Sequence, residues 1–301
     1  MFKESQMSDA QNSRFKIAVA GATGRVGSSL IAGLATEPVE VIALTRTPDA
    51  RSFPASVVSK SVDFDQPVSL PAALEGVDRL FLAQGSSPHQ VDNEIALIDA
   101  AIAAGVSHIV KLSALGTPLQ LHPFDWHARI EDHLATRDVG YTLLRPTTFM
   151  NVLARAGRPV ANGSWGGAAG EGKVNLIDVR DVADAAKTVL LEEASTSWQR
   201  AFHLTSARAW SMPEIAAELS RLLGRQVGYQ QRSFAEQKAV LIASGLSEFA
   251  AGIAVGLDRA FYQSALREDT STVELLTGHA PRTLTDWLSE NLSLFQSEAD
   301  A

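Results

Sequence analysis

The sequence predicts an α/β protein, a doubly wound parallel sheet with a smaller, mostly helical lobe after it. Three observations carry this. Short apolar runs alternate with helical patterns from Phe15 to about Met150, the first run stops at a glycine-rich turn, and beyond Met150 the alternation fades into helical segments.

Phe15 to Ala20 is a short apolar run ending at glycine, as a buried parallel strand does. From Arg25 to Ala35, Val26, Leu30, Ile31 and Leu34 recur at helical spacing. Val39 to Thr45 reads as a second strand, closed by Arg46 and the turn Thr47-Pro48-Asp49, and Val57 to Val62 as a third, before a short helix from Ser69 to Leu74. Asp78 to Ala83 is a fourth strand, followed by a helix from Pro88 to Ala104 that stops at Gly105. His108 to Leu112 is a fifth strand, Phe124 to Thr136 a helix, and Tyr141 to Arg145 a sixth strand stopped by Pro146. Later, Val174 to Ile177 and Phe202 to Leu204 read as short strands, while 182–192, 212–223, 234–265 and 284–294 read as helical. The expected division is a tail at 1–14, a dinucleotide-binding domain at 15–150, a C-terminal lobe at 151–295 integrated with the sheet, and a tail at 296–301.

Composition narrows the function. A net charge of −8 offers no basic stripe for nucleic acid or an anionic membrane surface. With no cysteine, disulfides, thiolate metal sites and a cysteine nucleophile are excluded, and the reducing cytoplasm is the natural compartment. No apolar run approaches the ~20 residues that span a bilayer. The histidines show no metal-ligand spacing, and Asp178 and Asp181 read as helix-capping residues rather than a metal site.

The turn Gly21-Ala22-Thr23-Gly24-Arg25-Val26-Gly27 carries most of the functional signal. It follows a strand and opens a helix, the setting in which glycines give a tight turn, close backbone approach to a pyrophosphate, and close helix–strand packing. The helix N-terminus then offers free N–H groups to the phosphates. The second strand ends in Arg46 with no acidic residue at its tip, and Arg25 and Arg51 stand nearby. An arginine there accommodates a 2′-phosphate, so the expected cofactor is NADPH/NADP on a Rossmann-type sheet.

The segments GATGRVG, VKLSALG (110–116), HARIEDHL (127–134), YTLLRP (141–146), FMNVL (149–153) and VNLIDVRDVADAA (174–186) resemble the NmrA-like, atypical short-chain dehydrogenase/reductase family. The resemblance is strongest to its NADPH quinone oxidoreductase and triphenylmethane reductase branch. It implies cofactor contacts from Gly21, Thr23, Gly24, Arg25, Val26 and Gly27, then Arg46, the loop Ala83-Gln84-Gly85, and the segment Pro146-Thr147-Thr148-Phe149. The family also contains a dinucleotide-sensing regulator, so the resemblance leaves a sensor without turnover as the alternative to an enzyme.

Typical short-chain dehydrogenases use a serine after the fifth strand and a Tyr-x-x-x-Lys pair on the next helix. None of Tyr141, Tyr229 and Tyr262 has a lysine four residues on. Ser113 stands where the serine belongs, His127 falls near the tyrosine's place, and Glu131 follows it by one helical turn. Two readings are open for His127: a proton donor, or a residue that only shapes the site. Glu131 reads as a structural or orienting carboxylate rather than an acid. Lys111 shares a strand face with Ser113 and reads either as reaching the cofactor ribose or, preferably, as snorkelling out of the sheet edge. Asn151 reads equally as a substrate contact or a helix cap. Trp165 and the loop from Gly163 to Gly172 read as pocket walls or as lobe packing. The expected activity is hydride transfer to a small electrophile such as a quinone. The expected partner is a small-molecule substrate alone, with the protein a monomer or homodimer.

Overall fold

Parallel strands buried on both faces need apolar residues at successive positions, and the first strand, β1 (Lys16–Ala20), divides its side chains between two cores. Ile17 and Val19 face one layer of helices, Ala18 and Ala20 the other. The computed structural model describes residues 15–48, 53–64, 66, 69–116, 124–193 and 198–296. The tail at 1–14, Asp49, Arg51, His122 and residues 297–301 lie outside the described residues.

After β1 the order is α1 (Arg25–Leu34), β2 (Glu40–Thr45), β3 (Val57–Ser61), α2 (Ser69–Ala73), β4 (Arg79–Leu82), α3 (Gln90–Ala103), β5 (His108–Leu112), α4 (Phe124–Ala135) and β6 (Gly140–Pro146). The chain then leaves the sheet through β7 (Thr148–Phe149), a 3-10 segment (Met150–Ala156), α5 (Gly157–Ala161), β8 (Gly166–Gly167) and β9 (Lys173–Ile177). It comes back along α6 (Val179–Leu191) to β10 (Gln199–Leu204). The remainder is β11 (Ala209–Ser211), α7 (Met212–Leu223), β12 (Gln230–Gln231), α8 (Phe234–Ala243), α9 (Glu248–Tyr262), α10 (Thr272–Thr277) and α11 (Leu284–Glu290).

The main sheet has seven parallel strands in the order β10-β6-β5-β4-β1-β2-β3. The order reverses at β1, which pairs with β2 on one side and β4 on the other. That reversal is the switch point where a ligand crevice forms beyond the carboxyl ends of the strands. One face packs α1 and α6 on Val19, Phe81, Val110 and Leu144, and the other packs α2, α3 and α4 on Leu44, Leu82 and Ile109.

The strands read at Val174 to Ile177 and Phe202 to Leu204 and the mostly helical stretch at 234–265 are all present, and the topology places them. The run around Phe202 is the seventh strand of the main sheet, whereas the run at 174–177 pairs with β7 and β11 in a separate three-stranded sheet. The helical stretch expected over 234–265 is two helices, broken at Gly245, whose φ of +99 suits only glycine. α7 and α8 each begin with a reciprocal serine–glutamate cap, Ser211 with Glu214 and Ser233 with Glu236. Among the described residues no helix is long and apolar enough to cross a membrane.

His108 opens β5 fully buried, with Nε2 3.0 Å from the Thr142 hydroxyl and Nδ1 without a partner. Burial, with Arg200 and Arg79 nearby, lowers its pKa from 6.5 to about 4. A histidine held neutral in the fold contributes stability above its unfolded pKa, lost as pH falls from 6.5 towards 4. The limit of that contribution is about 3 kcal/mol. Urea unfolding of the wild type should therefore weaken more between pH 7.5 and 4.5 than that of His108→Gln, by about 2 kcal/mol. Equal losses in the two proteins would show that His108 is not the group titrating.

Candidate functional site

β1 delivers the chain to Gly21, whose φ of +73 puts it in the left-handed region. A Cβ there would stand 2.6 Å from the Ala83 carbonyl oxygen at the end of β4. Gly24 N–H donates to the Gly21 carbonyl at 2.9 Å, and Ser28 N–H to the Gly24 carbonyl at 2.9 Å, so the turn passes directly into α1. A Cβ on Gly27 would overlap the Gly21 carbonyl, which is why α1 can lie so close to the turn. Gly24 is the N-cap, with no side-chain cap and no acidic residue in the first turn. The N–H groups at the start of α1 therefore remain available to an anion.

In front of this turn lies a cavity of about 930 Å³, near the upper end of ligand pockets. Of the predicted cofactor residues, Gly21, Thr23, Arg46, Ala83, Gln84 and Gly85 line it. Arg46 is exposed at the tip of β2 and forms no ion pair among the described residues. Gln84 Oε1 is buried without a hydrogen-bond partner among the described residues, an acceptor open to a donor. The backbone cradle at Gly21, the uncapped helix and this orphaned oxygen fit a dinucleotide.

Val26 and Gly27 are buried under α1, supporting the turn from behind. Gly24 and Arg25 are exposed at the mouth of the helix, outside the cavity lining. Pro146, Thr147, Thr148 and Phe149 lie off the lining as well, and Thr147 is committed to structure, its hydroxyl donating to the Asn175 carbonyl at 2.9 Å. Sequence reasoning missed Val62, Asp63 and Phe64 after β3, and Ser86, Ser87, His89 and Asn93 after β4. The signal for both groups was position alone, since each follows a strand at the sheet's carboxyl edge.

The expected catalytic residues sit between β5 and α4, outside that lining. Residues 109, 111 and 113 point to the α3/α4 face by the period of the strand. Lys111 is not at the sheet edge, as the snorkelling expectation had it. Its side chain is fully buried, with Nζ 2.8 Å from Glu94 Oε2 on α3, 3.2 Å from His127 Nδ1 on α4, and bonded to the Leu112 carbonyl. An ammonium so enclosed is tolerable only with such partners. Burial and the Lys111 charge push the His127 pKa well below its usual 6.5.

One helical turn on, Glu131 takes a fork from Arg145 of β6, Nε at 3.0 Å and Nη2 at 2.6 Å, and also accepts the Ser113 hydroxyl. Glu131 is thus the orienting carboxylate expected, and the Ser113 proton is already in use. Asn151 caps nothing: it lies inside the 3-10 segment with Oδ1 buried and unpartnered. Asp178 does cap α6, through Arg180 N–H at 2.8 Å, whereas Asp181 is held by Arg282 rather than capping. Asp181, Asp184 and His279 come together, with the Arg282 guanidinium bonded to both carboxylates.

A second cavity, of about 440 Å³, lies in the C-terminal lobe among Leu153, Trp165, Met212, Tyr229, Leu257, Asp258 and Phe261. Trp165 meets the Tyr229 ring edge-on at 5.2 Å, so it both packs the lobe and walls this cavity. Burial lifts the Asp258 carboxyl to about 6.

A family model described as NAD(P)H-binding matches residues 21–193. The chain is 34% identical over 282 residues to quinone oxidoreductase 2 of Escherichia coli, across 91% of this chain and 97% of that protein. It is 31% identical to the NAD(P)H azoreductase of Xenophilus azovorans, across 93% and 99%. The crystal structure of an E. coli NADPH-dependent quinone oxidoreductase complexed with NADPH superposes with a TM-score of 0.84 at 29% identity, across 92% and 99%. Citrobacter sp. triphenylmethane reductase gives 0.84 at 27%, across 93% and 99%. An NmrA structure, at 0.74 and 16%, shares the fold. The chain belongs to the NAD(P)H-binding, NmrA-like family and is an NAD(P)H-dependent oxidoreductase.

The two glycines of the turn should fail differently. Gly24→Val places a side chain at the exposed helix mouth, its Cβ 3.1 Å from the Gly21 carbonyl, so NAD(P)H affinity measured by fluorescence titration should fall by about a hundredfold or more with a smaller loss of thermal stability than at Gly27. Gly27→Val drives atoms into the Gly21 carbonyl, so its melting temperature should drop by several degrees or the protein should not fold. Unchanged affinity in Gly24→Val would mean that the turn does not hold phosphate.

Proposed function

We propose that the protein is an NADPH-dependent reductase that passes a hydride to a small, flat electrophile such as a quinone. The observation carrying the cofactor choice is Arg46, at the β2 tip, lining the cavity with its guanidinium in no ion pair among the described residues. Its planar fork matches a 2′-phosphate, and the carboxylate in the cavity, Asp63, stands beyond β3 rather than at the position that selects the free ribose.

The substrate class is supported by the relatives, whose names give quinone, azo and triphenylmethane-dye acceptors, all conjugated electrophiles. The aromatic walls of the lobe cavity suit the same kind of guest. The cofactor, when bound, supplies the hydride, and the protein's part is positioning. The turn and the α1 N-terminus bind the diphosphate, Arg46 holds the distal phosphate, and Gln84 accepts a hydrogen bond from the cofactor. The lobe closes the carboxyl edge of the sheet and excludes water from the transfer. Ser113 and His127 belong to the substrate side, Ser113 as an acceptor because its own proton goes to Glu131. The enzyme acts in the cytoplasm on a small molecule, as a monomer or homodimer.

Two measurements test this. Titration should show NADPH binding at least about tenfold more tightly than NADH, the scale of one charge-assisted phosphate contact. Arg46→Asp should remove or reverse that preference, and equal affinities in the wild type would defeat the assignment. NADPH absorbance should fall when a panel of quinones, enones and dyes is offered, with quinones turned over among them.

A further inference from the structure

A lysine ammonium carries three donors and no acceptor, so any histidine nitrogen that it contacts must be unprotonated. Lys111 Nζ stands 3.2 Å from His127 Nδ1. With the lysine as an ammonium, this contact has one arrangement: Nδ1 accepts, the ring is neutral and its proton is on Nε2. The lysine has no freedom to reverse this. Both Lys111 and Glu94 have fully buried side chains, their charges are 2.8 Å apart, and Nζ also donates to the Leu112 carbonyl. Glu94 is held in turn by Gln90, whose Nε2 donates to Oε1 at 2.9 Å. The chain Gln90–Glu94–Lys111–His127 thus runs from the start of α3, across β5, to α4.

The other charged groups around the ring do not undo this arrangement. Glu131 is one turn along α4 and is engaged by Arg145 of β6 and by Ser113. His127 Nε2 has no hydrogen-bond partner among the described residues, and the residue keeps part of its surface exposed. The network also borders the cofactor cavity, since His89 and Asn93, which flank Gln90 and precede Glu94, line it.

We infer that Lys111, clamped by Glu94, is a positioning residue that holds His127 as the neutral Nε2–H tautomer, so that the site presents an uncharged hydrogen-bond donor to the substrate oxygen. Building on the reductase proposed above, His127 then polarises a carbonyl while hydride arrives from the cofactor. The oxygen is protonated by water, and the histidine keeps its own proton. Holding Nδ1 against an ammonium opposes imidazolium formation. Reduction should accordingly stay level through the pH range in which an ordinary histidine titrates.

The test needs no turnover for its first arm. In ¹⁵N-histidine-labelled protein, with His127 assigned through His127→Gln, Nδ1 should give the resonance of an unprotonated nitrogen and Nε2 a directly bonded proton, both unchanged from pH 8 to pH 5. A proton on Nδ1, or double protonation with a midpoint near 6.5, would overturn the inference. Lys111→Met alone strands the Glu94 charge and invites misfolding, so the informative variant is Lys111→Met/Glu94→Gln, which removes both charges together. There Nδ1 has lost the ammonium that fixes the tautomer, so the ¹⁵N signals should move towards values averaged between the two tautomers and kcat should fall several-fold, while burial still keeps the ring neutral. If the double variant folds and loses activity while His127 keeps the wild-type tautomer, Lys111 is merely structural. Failure of the reductase assignment would show separately, as absence of turnover with the wild-type tautomer as expected.

Discussion

The Gly21 carbonyl is the point on which the rest of the molecule depends. It accepts the Gly24 N–H that bends the chain, and a side chain on Gly27 would strike it, while one on Gly21 itself would strike Ala83. Three backbone segments, the end of β1, the start of α1 and the end of β4, therefore touch without side chains between them. Close contact of this kind gains little energy by itself. What holds α1 down is the burial of Val26, Leu30, Ile31 and Leu34 against the sheet, each worth about 1.5–3 kcal/mol. The glycines remove the steric objection and the apolar stripe supplies the force, so the helix N-terminus is aimed at the switch point of the strand order.

The second organising feature is polar. On the α3/α4 face of the sheet, β5 and β6 present Lys111, Ser113 and Arg145 where Ile109, Tyr141 and Leu143 occupy neighbouring positions of the same face. An unpaired ion at such a place costs several kcal/mol, so each carries its partner: Glu94 for Lys111, and Glu131 for Arg145. Because α4 supplies both His127 and Glu131 at a spacing of four, its register against β5 is set twice, once by each contact. A slide of α4 by one residue would turn both partners away. Polar contacts thus add to the apolar packing of Trp126, Ile130 and Leu134 in orienting this helix, whereas α1 rests on its apolar stripe and the close backbone contacts of the turn.

What was legible in the sequence follows from this division. β1, β2, β4, β5 and β6 were readable because buried parallel strands impose largely apolar runs, edge strand β3, with no buried residue, from its paired valines, and the glycine turn because only glycine suits its contacts. The seventh strand was fainter, since Gln199–Leu204 lies at the sheet's edge with exposed and buried residues mixed. The run at 173–177 is plainly a strand, but nothing in its pattern says that its partners are β7 and β11. Lys111 misled because a lone lysine in a strand ordinarily carries its charge to water, and its partner sits 17 positions earlier in a helix that looks conventionally amphipathic. Pairing across elements is a tertiary fact. Residues such as Asp63 and Asn93 were invisible for the same reason, reaching the cavity only because their strands end at one edge.

The lobe is tied to the cofactor half at its roots. The chain leaves the main sheet at Pro146 and re-enters it at Gln199, so β7, β9 and the segments between them are anchored at both ends. α6 then joins the two halves. Arg180, held by the N-cap Asp178, reaches Glu290 of α11, and Asp181 takes Arg282 just before that helix. Its opposite side packs on α1, with Lys187 3.1 Å from Glu37. On the other face, Trp126 of α4 stacks on Phe249 of α9 at 6.0 Å. The helix that aims at the phosphates and the helix that carries His127 are thereby each linked to a different part of the lobe. Displacing this part of the chain would have to break the α6 ion pairs or the stack on α4, so α1 and α4 are tied to it by side-chain contacts as well as by the chain.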